Sequence, residues 1–330
     1  MNNFNSIVGY DDIIKHLQSS IMSDKVSHAY IIDGPSGSGK KIISNAFAKT
    51  LQCSKKGINP CNECISCITF DSNNHPDIIN IRPIKKKSIG IDDIRDNIQK
   101  DIEIKPFKYK YKIYIINDAD KLTEQAQNAL LKTIEESPKY AITILLCNNM
   151  NKILQTIISR CVVLKLKPIS QDIIKKHLIE IEGVSEQKAQ LCAIFGQGIL
   201  GKAKELALSS EFIQMREKTI EIIEKLQNID SIGAMYFYKE LETYKDKIDQ
   251  VLDIIYSWYR DLLIIKQLND KLHVINKDKI DTLIKQSSYM ELSLISKALD
   301  SIEEARQQIK KNGNFQLSIE IMLLNLRRIK

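Results

Sequence analysis

The sequence predicts an α/β module built on a parallel sheet around a phosphate loop, followed by two all-helical parts. Three observations carry this. Over roughly the first 165 residues, short and almost uninterrupted apolar runs alternate with helical segments, the pattern of a parallel sheet covered on both faces. One run, Ala29-Tyr30-Ile31-Ile32, leads directly into the glycine-rich stretch from Gly34 to Lys41. From Ser170 onward only helical periodicity is left.

Taken in order, Ala29–Ile32 reads as the first strand and Ile42–Leu51 as the helix after the glycine loop. Asp77–Ile81, Lys112–Ile116 and Ala141–Leu146 read as three further strands. Between the last two, Leu122, Ala126, Ala129, Leu130 and Ile134 fall at helical spacing, with Thr123 placed to cap the helix and Pro138 to stop it. Beyond Pro168, three short helices fit into 170–208, broken at Gly183, at Gly196-Gln197-Gly198 and around Gly201. Longer helices fill the rest. One carries an apolar stripe of Val251, Ile254, Ile255, Trp258, Leu262 and Ile265, and Leu317–Ile329 forms another. The expected division is 1–167 for the α/β module, 168–210 for a small three-helix part and 211–330 for a helical domain.

Composition narrows the function only a little. The 330 residues are 43% apolar and 27% charged, as in an ordinary globular protein. A formal charge of +7 allows an acidic partner such as DNA without requiring one. No basic segment followed by an apolar core opens the chain, and no apolar run is long enough to span a bilayer, so the expected location is the cytoplasm without membrane attachment.

The stretch Gly34-Pro35-Ser36-Gly37-Ser38-Gly39-Lys40-Lys41 has the glycines and the lysine of a nucleotide-binding P-loop in the strand–loop–helix context that such a loop needs. Backbone N–H groups and the helix N-terminus would face phosphate, with Lys40 reaching the β and γ groups. The next position normally gives a hydroxyl to Mg²⁺, and the Lys41 ammonium has no lone pair to offer. The acidic motif is eroded in the same way. Asn117 stands where a metal-holding carboxylate belongs, and Asp118 stands where a water-orienting glutamate belongs. Magnesium and full hydrolysis are therefore not expected, whereas ATP or ADP in the loop is left open. The plainer reading is a glycine/serine loop with no ligand.

Cys53, Cys61, Cys64 and Cys67 crowd into fifteen residues, 53–67. Four thiolates at these spacings can close around one tetrahedral ion, and structural zinc is the expected occupant. An iron–sulfur cluster and unligated surface thiols are the alternatives.

These residues together resemble the clamp-loader branch of AAA+ proteins, the group that serves bacterial DNA polymerase III. The likeness runs through Val8-Gly9, His28-Ala29-Tyr30, the cysteine insert and His75-Pro76-Asp77. It is densest in Tyr114–Pro138 and in the TIISRC stretch, 156–161, and weaker in Ser257-Trp258-Tyr259-Arg260-Asp261. The resemblance implies an AAA+ module with a zinc insert, a helical lid and an oligomerising helical collar. It implies that Arg160 is an arginine finger projecting into the ATP site of an adjacent subunit. It implies gamma/tau motor subunits and a delta subunit as ring partners, loading a sliding clamp onto primer-template DNA at the replication fork, near the nucleoid. Family sensor positions would fall near Asn148 and at Lys202.

Motor subunits share the cysteines and the Ser-Arg-Cys tripeptide, so only the nucleotide motifs separate the types. Lys41, Asn117 and Asp118 favour a non-hydrolysing subunit. The alternatives are an ATP-hydrolysing motor using Lys40 and Asp118, and a DNA-binding zinc protein with a vestigial loop. For Arg160 the plainer reading is a helix cap or a local ion pair; for Lys202 it is a solvated residue. The basic runs Lys85-Lys86-Lys87 and Lys108, Lys110, Lys112, the latter interleaved with Tyr109 and Tyr111, could meet DNA phosphate or simply face solvent. His16, His177 and His273 have no ligand partners in the pattern.

Overall fold

The computed structural model describes residues 3–83, 88–226, 231–268, 270 and 272–327. Strands β1 (Ala29–Asp33), β2 (Ile78–Ile81), β3 (Lys112–Ile116), β4 (Ala141–Cys147) and β5 (Val162–Lys165) form one parallel sheet in the order β2-β3-β4-β1-β5. Tyr30 sits between Ile144 and Val162, and Ile115 between Asn80 and Ile144. The central strands lack polar alternation because both of their faces are covered; every residue of β3 and β4 is buried. Four of the five strands are those read from the sequence. The fifth, β5, is a short edge strand with only Leu164 buried, so it carries no apolar run long enough to announce it.

Helices α1 (Asp11–Met22), α2 (Lys40–Leu51) and α3 (Ile65–Asp71) precede β2. After it, α4 (Ile91–Ile94) continues through a π-helical stretch into α5 (Lys100–Ile102); α6 (Glu124–Glu135) and α7 (Gln155–Ile158) follow. Thr123 does cap α6, its hydroxyl accepting from the Ala126 N–H at 3.2 Å. One face of the sheet packs Ala29, Ile31, Tyr114, Ile116 and Leu145 against Ile94, Ile98, Leu130 and Ile134. Alternate side chains point the other way, and there Tyr30 meets Phe47 of α2 edge-on at 5.1 Å. This fixes the helix that opens on the glycine loop.

Three short helices follow the sheet: α8 (Gln171–Glu180), α9 (Glu186–Phe195) and α10 (Leu200–Leu208). By packing, one unit comprises Met1–Glu182 with Gly196–Lys204, and the other Gly183–Phe195 with Glu205–Lys330. The 168–210 segment is thus divided between the two units.

In the second unit the long helices are α11 (Ser210–Leu226), α12 (Ser231–Glu242), α13 (Ile248–Leu268), α14 (Ile280–Tyr289), α15 (Leu292–Lys310) and α16 (Phe315–Arg327). The predicted stripe from Val251 to Ile265 is buried along α13, which packs against α11, α14 and α15. Trp258 donates its indole N–H to Gln286 Oε1 at 2.8 Å. No helix among the described residues is long and apolar enough to cross a membrane.

Candidate functional site

β1 delivers the chain to Gly34, and the loop turns through left-handed backbone at Gly37 (φ 83°) and Gly39 (φ 95°) before α2 begins at Lys40. The Lys40 ammonium folds onto its own loop. It donates to Gly34 O at 2.5 Å, Pro35 O at 2.8 Å and Asn148 Oδ1 at 2.9 Å. Burial lowers its pKa, against the opposing pull of Cys147, Asp120, Asp118 and Asp33. Asn148 in turn donates its backbone N–H to Asp120 Oδ1 at 2.9 Å and its amide to the same oxygen at 3.3 Å. One amide therefore links the lysine to the acidic end of β3.

The positions that should seat magnesium point elsewhere. Lys41 is exposed and lines a polar pocket of about 130 Å³ with Asn45, Asn73, His75, Asn80 and Arg82. Asn117 turns its amide toward β2, donating to Ile81 O at 3.2 Å beside its own backbone N–H at 2.9 Å. Asp118 adopts left-handed backbone (φ 53°) and pairs with Lys121 at 2.9 Å. This donor set does not fit a magnesium ion: an ammonium replaces the hydroxyl, an amide committed to a carbonyl replaces one carboxylate, and a lysine neutralises the other.

A second segment closes on the loop. Gly201 donates its N–H to Gly37 O at 3.1 Å, so close that a Cβ on Gly201 would lie 2.6 Å from that oxygen. Ile199 and the Lys202 backbone also border Gly37. Both expected sensor positions, Asn148 and Lys202, thus come to the phosphate loop.

Arg160, just beyond α7, contacts none of these loop residues. Its Nη2 pairs with Glu135 Oε1 at 2.8 Å, and its Nη1 donates to Thr156 O at 3.0 Å and Ser159 Oγ at 3.4 Å. The helix-end contact and the local ion pair weighed from the sequence are thus both present, on a side chain that is still 42% exposed.

The four cysteines converge. Their sulfurs all lie within 4.8 Å of one another, with Cys61 and Cys67 at 3.9 Å. A tetrahedral ion with bonds of about 2.3 Å needs sulfurs about 3.8 Å apart, so the cluster can hold a metal ion. Backbone N–H groups of Cys61 and Cys64 donate to Cys53 and Cys61 sulfurs, each at 3.3 Å. Burial would raise Cys64, but N–H groups of Ser54 and Cys67 and the thiols of Cys67 and Cys61 draw it down to about 6. Burial keeps Cys53 and Cys67 high. The insert is tied to α2 by Lys49, a buried ammonium shared between Asn62 and Asp71 at 2.7 Å each.

With this geometry in view, residues 9–170 match a family described as DNA polymerase III, delta subunit, and residues 210–328 match its C-terminal counterpart. The DNA polymerase III subunit delta' of Bacillus subtilis (strain 168) is 31% identical over 322 residues, covering 95% of each chain. The chain belongs to the DNA polymerase III clamp-loader family. Within this family, the tau subunit of the same bacterium is 28% identical over 347 residues, 98% of this chain and 61% of that one. A solved gamma-subunit-related protein of Thermotoga maritima aligns over 96% of this chain and 99% of its own at 18% identity, with a TM-score of 0.44.

Other residues of the clamp-loader resemblance have structural roles here. Asp77 N–H donates to His75 Nδ1 at 3.1 Å, which leaves Nε2 to donate to Ser66 Oγ at 3.1 Å and joins the insert to β2. The Asp77 carboxylate accepts N–H groups of Phe107, Lys108 and Tyr109. Of the alternating lysines, Lys110 pairs with Asp24, and Lys112 is buried against Asp101 at 2.8 Å. Lys112 is thereby used inside the fold, whereas the Lys110–Asp24 pair stays on the surface, so the three lysines do not form one continuous exposed stripe. Lys85-Lys86-Lys87 lies outside the described residues. In the all-helical C-terminal region, Asp261 is buried and accepts from Ile275 N, Asn276 N and Asn276 Nδ2. The polar residues that sequence reasoning passed over are Asp120 and Glu135. Each is fixed by a partner 25 or more positions away, which spacing alone does not reveal.

Proposed function

We propose that this chain is the delta-prime-type subunit of a DNA polymerase III clamp loader, helping to load the sliding clamp onto primed DNA. It works in the cytoplasm as a non-hydrolysing member of a hetero-oligomeric ring with gamma/tau motor subunits and a delta subunit. The observation that carries this reading is the self-satisfied Lys40, held by Gly34 O, Pro35 O and Asn148, beside Lys41 and Asn117 that offer no magnesium ligands. Arg160, by contrast, keeps a half-exposed guanidinium. Its permanent charge and planar fork suit it to stabilise charge on the γ-phosphoryl group of nucleotide bound next door. Structural zinc, held by Cys53, Cys61, Cys64 and Cys67, would fix the insert against α2 without taking part in that chemistry.

The test uses a reconstituted loader in which only the motor beside this chain can hydrolyse ATP. Arg160→Ala should lower DNA-stimulated turnover by a factor on the order of 10³; an unchanged rate rejects the finger. A second reading, an ATP-hydrolysing gamma/tau-type motor, draws support from the 28% identity to tau over 98% of this chain. It requires magnesium-dependent turnover by the purified chain alone.

A further inference from the structure

Arg160 is held on two sides. Glu135 takes Nη2 at 2.8 Å, while Thr156 O and Ser159 Oγ take Nη1 at 3.0 and 3.4 Å. The Nε edge has no acceptor among the described residues. Three of the guanidinium's contacts therefore fix its direction and leave one edge for an incoming acceptor.

The position of Glu135 is not explained by its own helix. It is the last residue of α6, where a carboxylate opposes the negative end of the helix dipole. Nor does the pair add appreciably to stability. Both partners are about two-fifths exposed (42% and 41%), and ion pairs of that kind contribute little. Glu136, the next residue, is equally acidic and exposed and makes no ion pair among the described residues. A carboxylate at this place can limit the poses open to a long, flexible side chain, which lowers the ordering left for any encounter that uses it.

We propose that Glu135 is the positioning residue for Arg160, aiming the guanidinium at the adjacent subunit's nucleotide. This rests on the reading of Arg160 as a finger acting in trans. Glu135 stays with Nη2 while the Nε edge meets phosphate, so its carboxylate buttresses the arginine rather than competing for it.

The test is the same single-motor loader, assembled with the full chain. Glu135→Gln should lower kcat about tenfold and leave KM for ATP within about twofold, because orientation rather than nucleotide affinity is lost. Glu136→Gln should match the wild type. In an Arg160→Ala background, Glu135→Gln should add nothing, since the residue acts only through the arginine. Thermal melting of the isolated chain should be unchanged by Glu135→Gln. A normal kcat in Glu135→Gln alongside a collapsed one in Arg160→Ala overturns the positioning role and leaves the finger standing. A raised kcat also overturns it, by making Glu135 a restraint on the arginine. An additive loss in the double variant assigns Glu135 an effect independent of Arg160 and overturns it as well. If Arg160→Ala itself has no effect, the finger fails and the positioning role fails with it.

Discussion

Asn148 accepts a hydrogen bond from Lys40 at 2.9 Å and returns its backbone N–H to Asp120, also at 2.9 Å. The lysine that should greet a phosphate is thereby bound to the tip of β4, which is itself tied to the tip of β3. If this chain hydrolyses nothing, Lys40→Ala should leave the turnover of the single-motor loader within about twofold of wild type, whereas Arg160→Ala should lower it by a factor on the order of 10³. A comparable collapse in Lys40→Ala would mean that the loop does chemistry. DNA-stimulated phosphate release decides between them.

The glycine of α10 makes a separate prediction. A methyl group on Gly201 would stand 2.6 Å from the Gly37 carbonyl, a backbone oxygen that cannot swing aside. Gly201→Ala should therefore destabilise the first unit by about 1–3 kcal/mol. Thermal denaturation of the whole chain measures it. A melting curve identical to wild type would show that the segment around Gly201 is not held against the loop in solution.

Metal content is directly measurable. The purified chain should carry one zinc per molecule by elemental analysis, and Cys64→Ser should lose it. Removal should also expose the 53–67 insert to proteolysis, while α2, packed on the sheet through Phe47 against Tyr30, stays folded. Iron in place of zinc, or no metal at all, would refute the assignment of the cluster.

His75 gives the fold a pH dependence. Burial lowers its pKa below the ordinary 6.5, against a weaker pull from Asp77. The unfolded chain then binds a proton that the native chain refuses, so stability is fully present above about pH 6.5 and is lost as the pH falls through the native value. Urea midpoints should drop between pH 7.5 and 5, and His75→Gln should flatten that drop. An equal slope in the variant would place the acid sensitivity elsewhere.

Much of the architecture was legible in the sequence because its signals are local. Strands β1, β3 and β4 are buried on both faces and so read as unbroken apolar runs, and Thr123 advertises the start of α6 through its own hydroxyl. β5 was not legible, since an edge strand with one buried side chain has no period to detect. The erosion of the nucleotide motifs at Lys41 and Asn117 could be read residue by residue, but where those side chains turn could not. Asn117 caps β2 through a contact 36 positions away. Lys110 and Lys112 looked like a free basic stripe for the same reason. Their partners, Asp24 and Asp101, lie 86 and 11 positions away, neither of them within the alternating run, so the ion pairs leave no mark on its pattern.

α6 begins four positions after Asp120 and finishes on Glu135, twelve residues from first to last. At a rise of about 1.5 Å per residue it is a rod roughly 18 Å long. The carboxylate that grips Asn148 lies just before one tip, and the one that grips Arg160 belongs to the last residue at the other. A rigid helix of that length fixes the spacing of the two carboxylates, so the distance between the loop's asparagine and the exposed arginine is set by a single element.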